Sequence, residues 1–260
     1  MSAPLASLFD LTGRVGLVNG GSRGLGLQAA EALGEYGAAI VLIARKEAEL
    51  NETVAHLATL GISAYPFIAD LSSADAVDGV VERIMVQFGR IDVLVNNAGA
   101  TWGAPAEQYP LGGWNKVFNL NVTSVFLLTK AVAREAFLPQ GKGTVINVAS
   151  IGGLLGHHLS RDGTIACDTA KGAIINMTRA LGAEWGPKNI RVNALAPGLF
   201  VSRMTPLTLI EHGARLIEQT PLGKLGNEND LKGSVLLLAS DAGGHITGQV
   251  IVIDGGTSII

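Results

Sequence analysis

The chain has 260 residues, 48% of them hydrophobic, which is enough apolar surface for a sizeable core and excludes intrinsic disorder. Nineteen Lys and Arg against twenty-two Asp and Glu give a net charge of −3 without a basic cluster, so we expect no nucleic-acid partner. The apolar runs are shorter than the ~18 residues of a membrane span, and we expect no secretory signal. The single cysteine, Cys167, cannot form an internal disulfide and needs no oxidising compartment. We therefore expect a soluble, cytoplasmic protein that does not bind membranes.

Short aliphatic runs alternate along the chain with longer segments of helical period, which is typical of βαβ units. The runs predict seven strands, each apolar enough to be buried on both faces, over 14–19, 39–44, 64–69, 92–96, 143–149, 190–196 and 249–253. The segments between them predict helices over 24–36, 46–60, 73–88, 114–137 and 166–185. This order predicts an α/β fold, a single doubly wound (Rossmann) domain over 1–260 whose seven-stranded parallel sheet has helices on both faces.

A glycine-rich turn follows the first predicted strand and opens the first long helix. It reads Asn19-Gly20-Gly21-Ser22-Arg23-Gly24-Leu25-Gly26. Glycines let the backbone bend sharply and let a phosphate approach the helix N-terminus, where unpaired N–H groups and the helix dipole favour anions. The position between strand and helix favours dinucleotide binding over a simple surface turn.

The end of the second predicted strand indicates which dinucleotide is preferred. It reads Ala44-Arg45-Lys46, without the acidic residue that a fold selective for NAD usually places on the ribose hydroxyls. Arg45, assisted by Arg23, can instead pair with a 2′-phosphate, which favours NADP(H) over NAD(H). The competing interpretation of Arg45 is an exposed charge at the start of a helix.

Several motifs in chain order resemble those of the short-chain dehydrogenase/reductase family, and the resemblance covers nearly the whole chain. The glycine turn resembles the family's first motif with Asn19 in the place of a threonine, and Asn96-Asn97-Ala98-Gly99 reproduces its fourth-strand motif. Pro197-Gly198, with Ser202, resembles the loop that holds the nicotinamide. The resemblance implies a cofactor site made of Gly20, Ser22, Arg23, Gly24, Leu25, Gly26, Arg45, Asp70, Leu71, Asn97, Ala98, Gly99, Lys171, Pro197, Gly198 and Ser202.

The resemblance also implies a chemistry, the transfer of hydride between nicotinamide and a carbonyl or related C=N group of a small substrate. The family uses an asparagine, a serine, and a tyrosine that lies four residues before a lysine. The matching positions here are Asn121, Ser150, Cys167 and Lys171, so that a cysteine occupies the tyrosine position. By this resemblance Ser150 holds the substrate oxygen, Lys171 the nicotinamide ribose, and Asn121 a chain of water.

The thiol at the tyrosine position leaves the role of Cys167 open. Its reference pKa of ~8.5 suits an acid near neutral pH, but a thiol ends nearer the backbone than a phenol, and we expect its sulfur to fall short of the substrate. We also expect the Lys171 ammonium to push it toward thiolate, which has no proton to give. Cys167 is then a proton donor, an inert buried residue, a nucleophile or an engineered substitution. The alternative function is an NADP(H)-binding pseudoenzyme, or an active-site variant with little catalysis.

Other interpretations of the same region are less favoured. His157 and His158, in the loop after Ser150, can supply a substitute acid. A Ser–His–Asp hydrolase built from Ser150, His157 and either Asp162 or Asp168 lacks the Gly-x-Ser-x-Gly elbow. No set of side chains has the spacing of metal ligands, so we expect no metal.

The remaining expectations concern the substrate and the assembly. Trp102, Tyr109, Trp114 and Phe200 either line a substrate pocket or pack in the interior. Residues 197–219 are expected to form a lid over the substrate. The resemblance implies a homotetramer and, within the family, points to gluconate 5-dehydrogenase-like and 3-oxoacyl reductase-like members.

Overall fold

The fold is described by a computed structural model that covers residues 4–156, 163–201 and 213–260. All strand pairs in its single sheet are parallel, as predicted, and the strand order is 3-2-1-4-5-6-7. The strands are β1 (Val15–Asn19), β2 (Ala39–Ala44), β3 (Ala64–Ile68), β4 (Val93–Asn96), β5 (Gly143–Val148), β6 (Ile190–Pro197) and β7 (Val250–Ile253).

Helices cover both faces of this sheet, which confirms the predicted layers. They are α1 (Leu5–Leu8), α2 (Gly24–Glu35), α3 (Glu47–Thr59), α4 (Ala74–Phe88), α5 (Leu111–Phe118), α6 (Ser124–Val132), α7 (Leu138–Gln140), α8 (Ile165–Trp185) and α9 (Lys232–Ala239). Side chains of β1 alternate between the two layers: Val18 packs in the cluster that contains α2 and α9, and Leu17 in the cluster that contains α4 and α6.

Two expectations about individual elements were wrong. Strands β3 and β7 are not buried on both faces, because each lies at an edge of the sheet and has one neighbouring strand; Tyr65 and Val252 are exposed there. The predicted helix over 114–137 runs from 111 to 140, because π-helical turns at Asn119–Thr123 and Ala133–Phe137 join α5, α6 and α7 without a break.

The parallel sheet brings the carboxyl ends of its central strands to one edge. Asn19 ends β1, Asn96 ends β4, Ser150 follows β5, and Pro197 ends β6. In open α/β sheets, ligands bind in the crevice outside this edge. None of the helices in the described part of the chain is long and apolar enough to cross a membrane.

Candidate active site

The glycine turn is a tight cradle at the N-terminus of α2. Gly20 has φ +64°, and a Cβ there would lie 2.8 Å from Cα of Ala98. A Cβ on Gly26 would collide with the Gly20 carbonyl oxygen, whereas Gly24, at φ +55°, faces open space. No acidic side chain lies in the first turn of α2, and among the described residues none caps it, so its N–H groups are available to an anion. These features fit the pyrophosphate of a dinucleotide.

Asn19, which stands at the threonine position of the resembled motif, links the glycine turn to the loop after β4. Its Oδ1 accepts hydrogen bonds from the backbone N–H groups of Asn97 (2.9 Å) and Ala98 (2.6 Å). The Asn97 side chain returns a hydrogen bond of 2.8 Å from Nδ2 to the Gly20 carbonyl. The glycine turn after β1 and the loop after β4 are therefore fixed to each other by side-chain amides.

A buried chain of amides continues from Asn19 across the sheet. Asn19 Nδ2 donates to Asn96 Oδ1 (3.2 Å), Asn96 Nδ2 donates to Asn147 Oδ1 (2.9 Å), and Asn147 Nδ2 donates to Thr178 Oγ1 of α8 (2.9 Å). All four side chains are buried. Asn147 and Thr178 were not predicted to matter; the available signal was a polar residue inside an otherwise apolar strand. The chain fixes β1, β4, β5 and α8 relative to one another at the site.

Three residues of the predicted cofactor site, Arg45, Asp70 and Leu71, follow strands β2 and β3. Arg45 is exposed at the end of β2, and Asp70 follows β3. The backbone N–H of Ser72 donates to Asp70 Oδ1 at 3.1 Å and, with a smaller contribution from the Arg45 charge, lowers the pKa of that carboxyl. Leu71 is a buried core residue, so only its backbone is presented to a ligand. Glu49 of α3, absent from the predicted site, lies against Arg23.

The turn after β5, which carries Ser150, packs on α8 at Lys171. A Cβ on Gly153 would lie 2.6 Å from the Lys171 carbonyl carbon, so this turn packs directly on α8. Ser150 Oγ accepts a hydrogen bond from Gly152 N at 3.1 Å, and no described contact uses its proton. Lys171 Nζ donates to the Val148 carbonyl at 2.6 Å, and burial lowers the pKa of this ammonium. The pair presents a hydroxyl donor beside a desolvated amine.

Cys167 lies one helical turn before Lys171 on α8 and is partly buried. Burial raises the pKa of its thiol; the Lys171 charge opposes this effect and the Asp168 charge adds to it, while a hydrogen bond from Thr101 lowers the pKa. The net shift is upward. The Lys171 charge does act toward thiolate, as expected, but desolvation outweighs the attraction between the two charges, so the thiol is not converted to thiolate by it.

Asn121 lies on the first π-helical turn, where its buried side chain holds the loop after β4. Its Oδ1 accepts from Ala100 N at 2.7 Å, and its Nδ2 donates to the Ala100 carbonyl at 2.9 Å. A Cβ on Gly99 would come within 3.4 Å of the same Oδ1. The amide group is thus committed to the backbone, and a chain of water held by Asn121 stays a prediction.

The aromatic residues near the site mostly pack on one another. Trp114 stacks on Phe118 with a centroid distance of 4.6 Å, and Tyr109 meets the Trp114 ring edge-on. These three rings pack, together with Cys167, against a small apolar cluster. The Tyr109 hydroxyl donates to the Trp102 carbonyl at 2.9 Å. Phe200 is buried in the main core and also lines a small pocket together with Leu222 and Lys224, so the structure places it in both of the roles considered for it.

Pro197 ends β6 and Gly198 follows it, at the start of the predicted lid. The Gly198 N–H donates to the Ile253 carbonyl at 2.9 Å, and a Cβ on Gly198 would lie 2.7 Å from Asp254 Cβ. The predicted residues Ser202, His157, His158 and Asp162, and positions 202–212 of the lid, lie outside the described residues. Within the described ranges, no three His, Cys, Asp or Glu side chains form a group able to hold a metal ion.

Known proteins resemble this chain over its whole length. A family model described as enoyl-(acyl carrier protein) reductase matches residues 20–258. Gluconate 5-dehydrogenase of Gluconobacter oxydans is 35% identical over 261 residues, covering 100% of this chain and 99% of the relative. The 3-oxoacyl-acyl-carrier-protein reductase of rhamnolipid biosynthesis from Pseudomonas aeruginosa is 37% identical over 258 residues, covering 95% and 97%. The crystal structure of a gluconate 5-dehydrogenase from Burkholderia cenocepacia in complex with NADP and tartrate has a TM-score of 0.92 at 31% identity, covering 99% of this chain and 100% of that chain.

Proposed function

Because this chain belongs to the short-chain dehydrogenase/reductase family, we propose that it is an NADP(H)-dependent oxidoreductase acting on a carbonyl, or related C=N, group of a small substrate. The observation that carries the proposal is the glycine cradle, which is fixed to the loop after β4 and lies at the same sheet edge as Ser150 and Val148, whose carbonyl holds Lys171 Nζ. When bound there, the coenzyme supplies or takes up the hydride.

The coenzyme site that we propose follows the carboxyl edge of the sheet. The N–H groups that begin α2 hold the pyrophosphate, and Arg45 and Arg23 hold the 2′-phosphate, because guanidinium groups pair bidentately with phosphate. Asp70 receives the adenine, Lys171 the nicotinamide ribose, and Pro197 with Gly198 the nicotinamide side. A related structure that contains NADP supports the choice of this coenzyme over NAD.

The proposed proton chemistry uses Ser150 and Cys167. Ser150 donates a hydrogen bond from its hydroxyl group to the substrate oxygen and so stabilises the negative charge that develops there. Cys167 keeps its proton at neutral pH because burial raises the pKa of the thiol, so it is the candidate proton donor, and the Cys167 variants below test whether its short side chain reaches the substrate. Lys171 contributes an ammonium beside the thiol, and its long side chain is held by the Val148 carbonyl.

The relatives limit the substrate class without fixing the substrate. Gluconate 5-dehydrogenase acts on a hydroxylated acid, whereas the 3-oxoacyl reductase acts on an acyl chain, and both are similar to this chain over nearly their whole length. We therefore propose a small hydroxylated acid or a 3-oxoacyl compound, oxidised or reduced at a secondary carbon.

We also propose that four copies of the chain assemble. Apolar side chains are exposed on two elements that have free faces, Phe126 on α6 and Val252 on the edge strand β7. Sedimentation analysis is expected to give four times the 26.9 kDa mass of one chain. A monomer at the concentrations used in assays would contradict this part of the proposal.

The test of the proposed function combines coenzyme titration with turnover. We expect the purified protein to bind NADPH, and to oxidise it with at least one member of a panel of 5-keto sugar acids, 3-oxoacyl thioesters and cyclic imines. Cys167→Tyr is the informative variant, because a positioned acid contributes ~10²–10⁴-fold and the phenol reaches farther than the thiol. Cys167→Ala is the matched control, since it removes the thiol without adding an acid.

Each outcome of this test has one meaning. If Cys167→Ala lowers kcat at least ~10-fold, toward the loss expected for a general acid, the thiol is the proton donor. If Cys167→Tyr raises turnover and Cys167→Ala leaves it unchanged, the thiol is not the donor. NADPH binding without turnover by the parent chain would replace the proposal with the pseudoenzyme alternative. Failure to bind either reduced nucleotide would refute both.

A further inference from the structure

One carboxylate lies against Arg23, which is assigned to the 2′-phosphate, and against Lys46, the neighbour of Arg45 in sequence. Glu49 Oε1 is 3.8 Å from Arg23 Nη1 and 2.9 Å from Lys46 Nζ, so both cations meet the same oxygen. The Glu49 side chain is 26% exposed, which is less than either of its partners, at 52% and 70%. A largely covered carboxylate is less screened by solvent than an ordinary surface charge.

The position of Glu49 is fixed by the backbone beneath it. Thr53, one turn farther along α3, is buried, and its hydroxyl lies 2.9 Å from the Ser22 carbonyl and 2.8 Å from the Glu49 carbonyl. Its single proton is shared between the two. This contact joins α3 to the glycine turn at the residue before Arg23. The backbone segments that carry Glu49 and Arg23 are therefore held next to each other by packing.

Arg45 differs from the other two cations. It is exposed, and within the described part of the chain it has no hydrogen bond or ion pair, although its charge lowers the pKa of Asp70. A 2′-phosphate can approach Arg45 directly. To reach Arg23 and Lys46, the same phosphate has to compete with a carboxylate that already holds them.

We infer that Glu49 is a coenzyme-selectivity residue, whose carboxylate competes with the 2′-phosphate for Arg23 and Lys46 and so reduces the preference for NADP(H) over NAD(H). The inference rests on the proposed function, because it concerns the same nucleotide site. Two negative groups that share one pair of cations repel each other, and a cation attracted to Glu49 is less available to pair with the phosphate. NAD(H) lacks that phosphate, and its binding is unaffected by the competition.

Two small probes isolate this effect from the rest of the coenzyme. Adenosine 2′,5′-bisphosphate carries the discriminating phosphate, and adenosine 5′-monophosphate lacks it. Their affinities are measured by calorimetry for the parent chain, for Glu49→Gln and for Glu47→Gln. Glu47 is the matched control, because it lies in the same first turn of α3, is exposed, and loses the same charge on substitution.

We expect Glu49→Gln to bind the bisphosphate about 3- to 10-fold more tightly than the parent chain does, a gain the size of one or two partly exposed ion pairs. Its affinity for the monophosphate should stay within about twofold of the parent value. Glu47→Gln should leave the ratio of the two affinities within about twofold of the parent. The gain should shrink at high salt, which screens charges that are partly exposed. It should also shrink when Arg23→Ala is added, since one of the freed cations is then absent.

The outcomes separate this inference from the proposed function. An unchanged or weaker affinity of Glu49→Gln for the bisphosphate would overturn the inference, as would equal gains for both probes or equal gains in both variants. Thermal unfolding of each variant identifies any loss of affinity that is caused by misfolding. If Glu49→Gln misfolds, Lys46→Ala replaces it. We expect Lys46→Ala to lower the affinity for the bisphosphate by less than Arg45→Ala does. If the parent chain binds neither the bisphosphate nor NADPH, the proposed function itself fails.

Discussion

Replacing Thr178 with valine tests whether the buried amide chain stabilises the site. The substitution keeps the shape of the side chain and removes the hydroxyl that accepts from Asn147 Nδ2 at 2.9 Å. Asn147 is buried, so this N–H is left without an acceptor, at a cost of ~1–3 kcal/mol in the free energy of unfolding. For a chain of this size 1 kcal/mol moves the Tm by ~2–4 °C, so we expect a decrease of about 2–12 °C.

The assay is reversible urea unfolding together with a thermal melt, and Thr59→Val is the control. The Thr178 hydroxyl donates to the Ile174 carbonyl of its own helix, and the Thr59 hydroxyl donates in the same way to the His56 carbonyl. Thr59, however, is exposed at the end of α3. Loss of its hydroxyl should cost no more than ~0.5 kcal/mol. If Thr178→Val is as stable as Thr59→Val, the amide chain contributes nothing measurable and the reasoning fails.

Two further predictions concern the glycine turn and the thiol. Gly26→Ala should lower NADPH affinity at least ~10-fold in a fluorescence titration, because its Cβ collides with the Gly20 carbonyl. The control is Gly79→Ala, in open space on α4, which should stabilise the chain by up to ~1 kcal/mol and leave NADPH binding unchanged. Similar NADPH affinities of the two variants would contradict this account. Alkylation of Cys167, the single cysteine, should have its pH midpoint above that of the urea-unfolded chain, because burial raises the pKa of the thiol. By linkage, the stability that this thiol contributes is present below its unfolded pKa and is lost as pH rises through the folded pKa. A midpoint below the unfolded value would show that the Lys171 charge outweighs burial.

Local pattern was sufficient for the strands and for the glycine turn. Short aliphatic runs such as 143–149 have few alternatives to a buried parallel strand, and a turn in which Gly20 and Gly26 leave no room for a Cβ has few alternatives to glycine. The signals that predict these features, an apolar run and a glycine-rich turn, are local in sequence. Whether a strand lies inside the sheet or at its edge depends on the order of all the strands, and for that reason β3 was expected to be buried and is exposed.

Contacts between distant segments could not be predicted in the same way. Asn147 meets Thr178 only because β4, β5 and α8 have a particular register, and Glu49 meets Arg23 only because Thr53 joins α3 to the glycine turn. The four-residue spacing of Cys167 and Lys171 did place them together on α8. The same spacing gave no measure of their burial, and burial decides the direction of the pKa shift.

Burial shifts the pKa values of Cys167 and Lys171 in opposite directions, and these shifts bear on which group of the site gives a proton. It raises the pKa of the thiol and lowers the pKa of the ammonium, so that both groups are moved toward their neutral forms. A thiolate–ammonium pair would require both charges to be desolvated, and their attraction compensates only when further hydrogen bonds satisfy them. Among the described contacts, Lys171 Nζ has one such bond, to the Val148 carbonyl, and burial keeps the Cys167 thiol protonated at neutral pH. A site built in this way can give a proton from sulfur but has no thiolate to attack a substrate, which favours the donor role over the nucleophilic role.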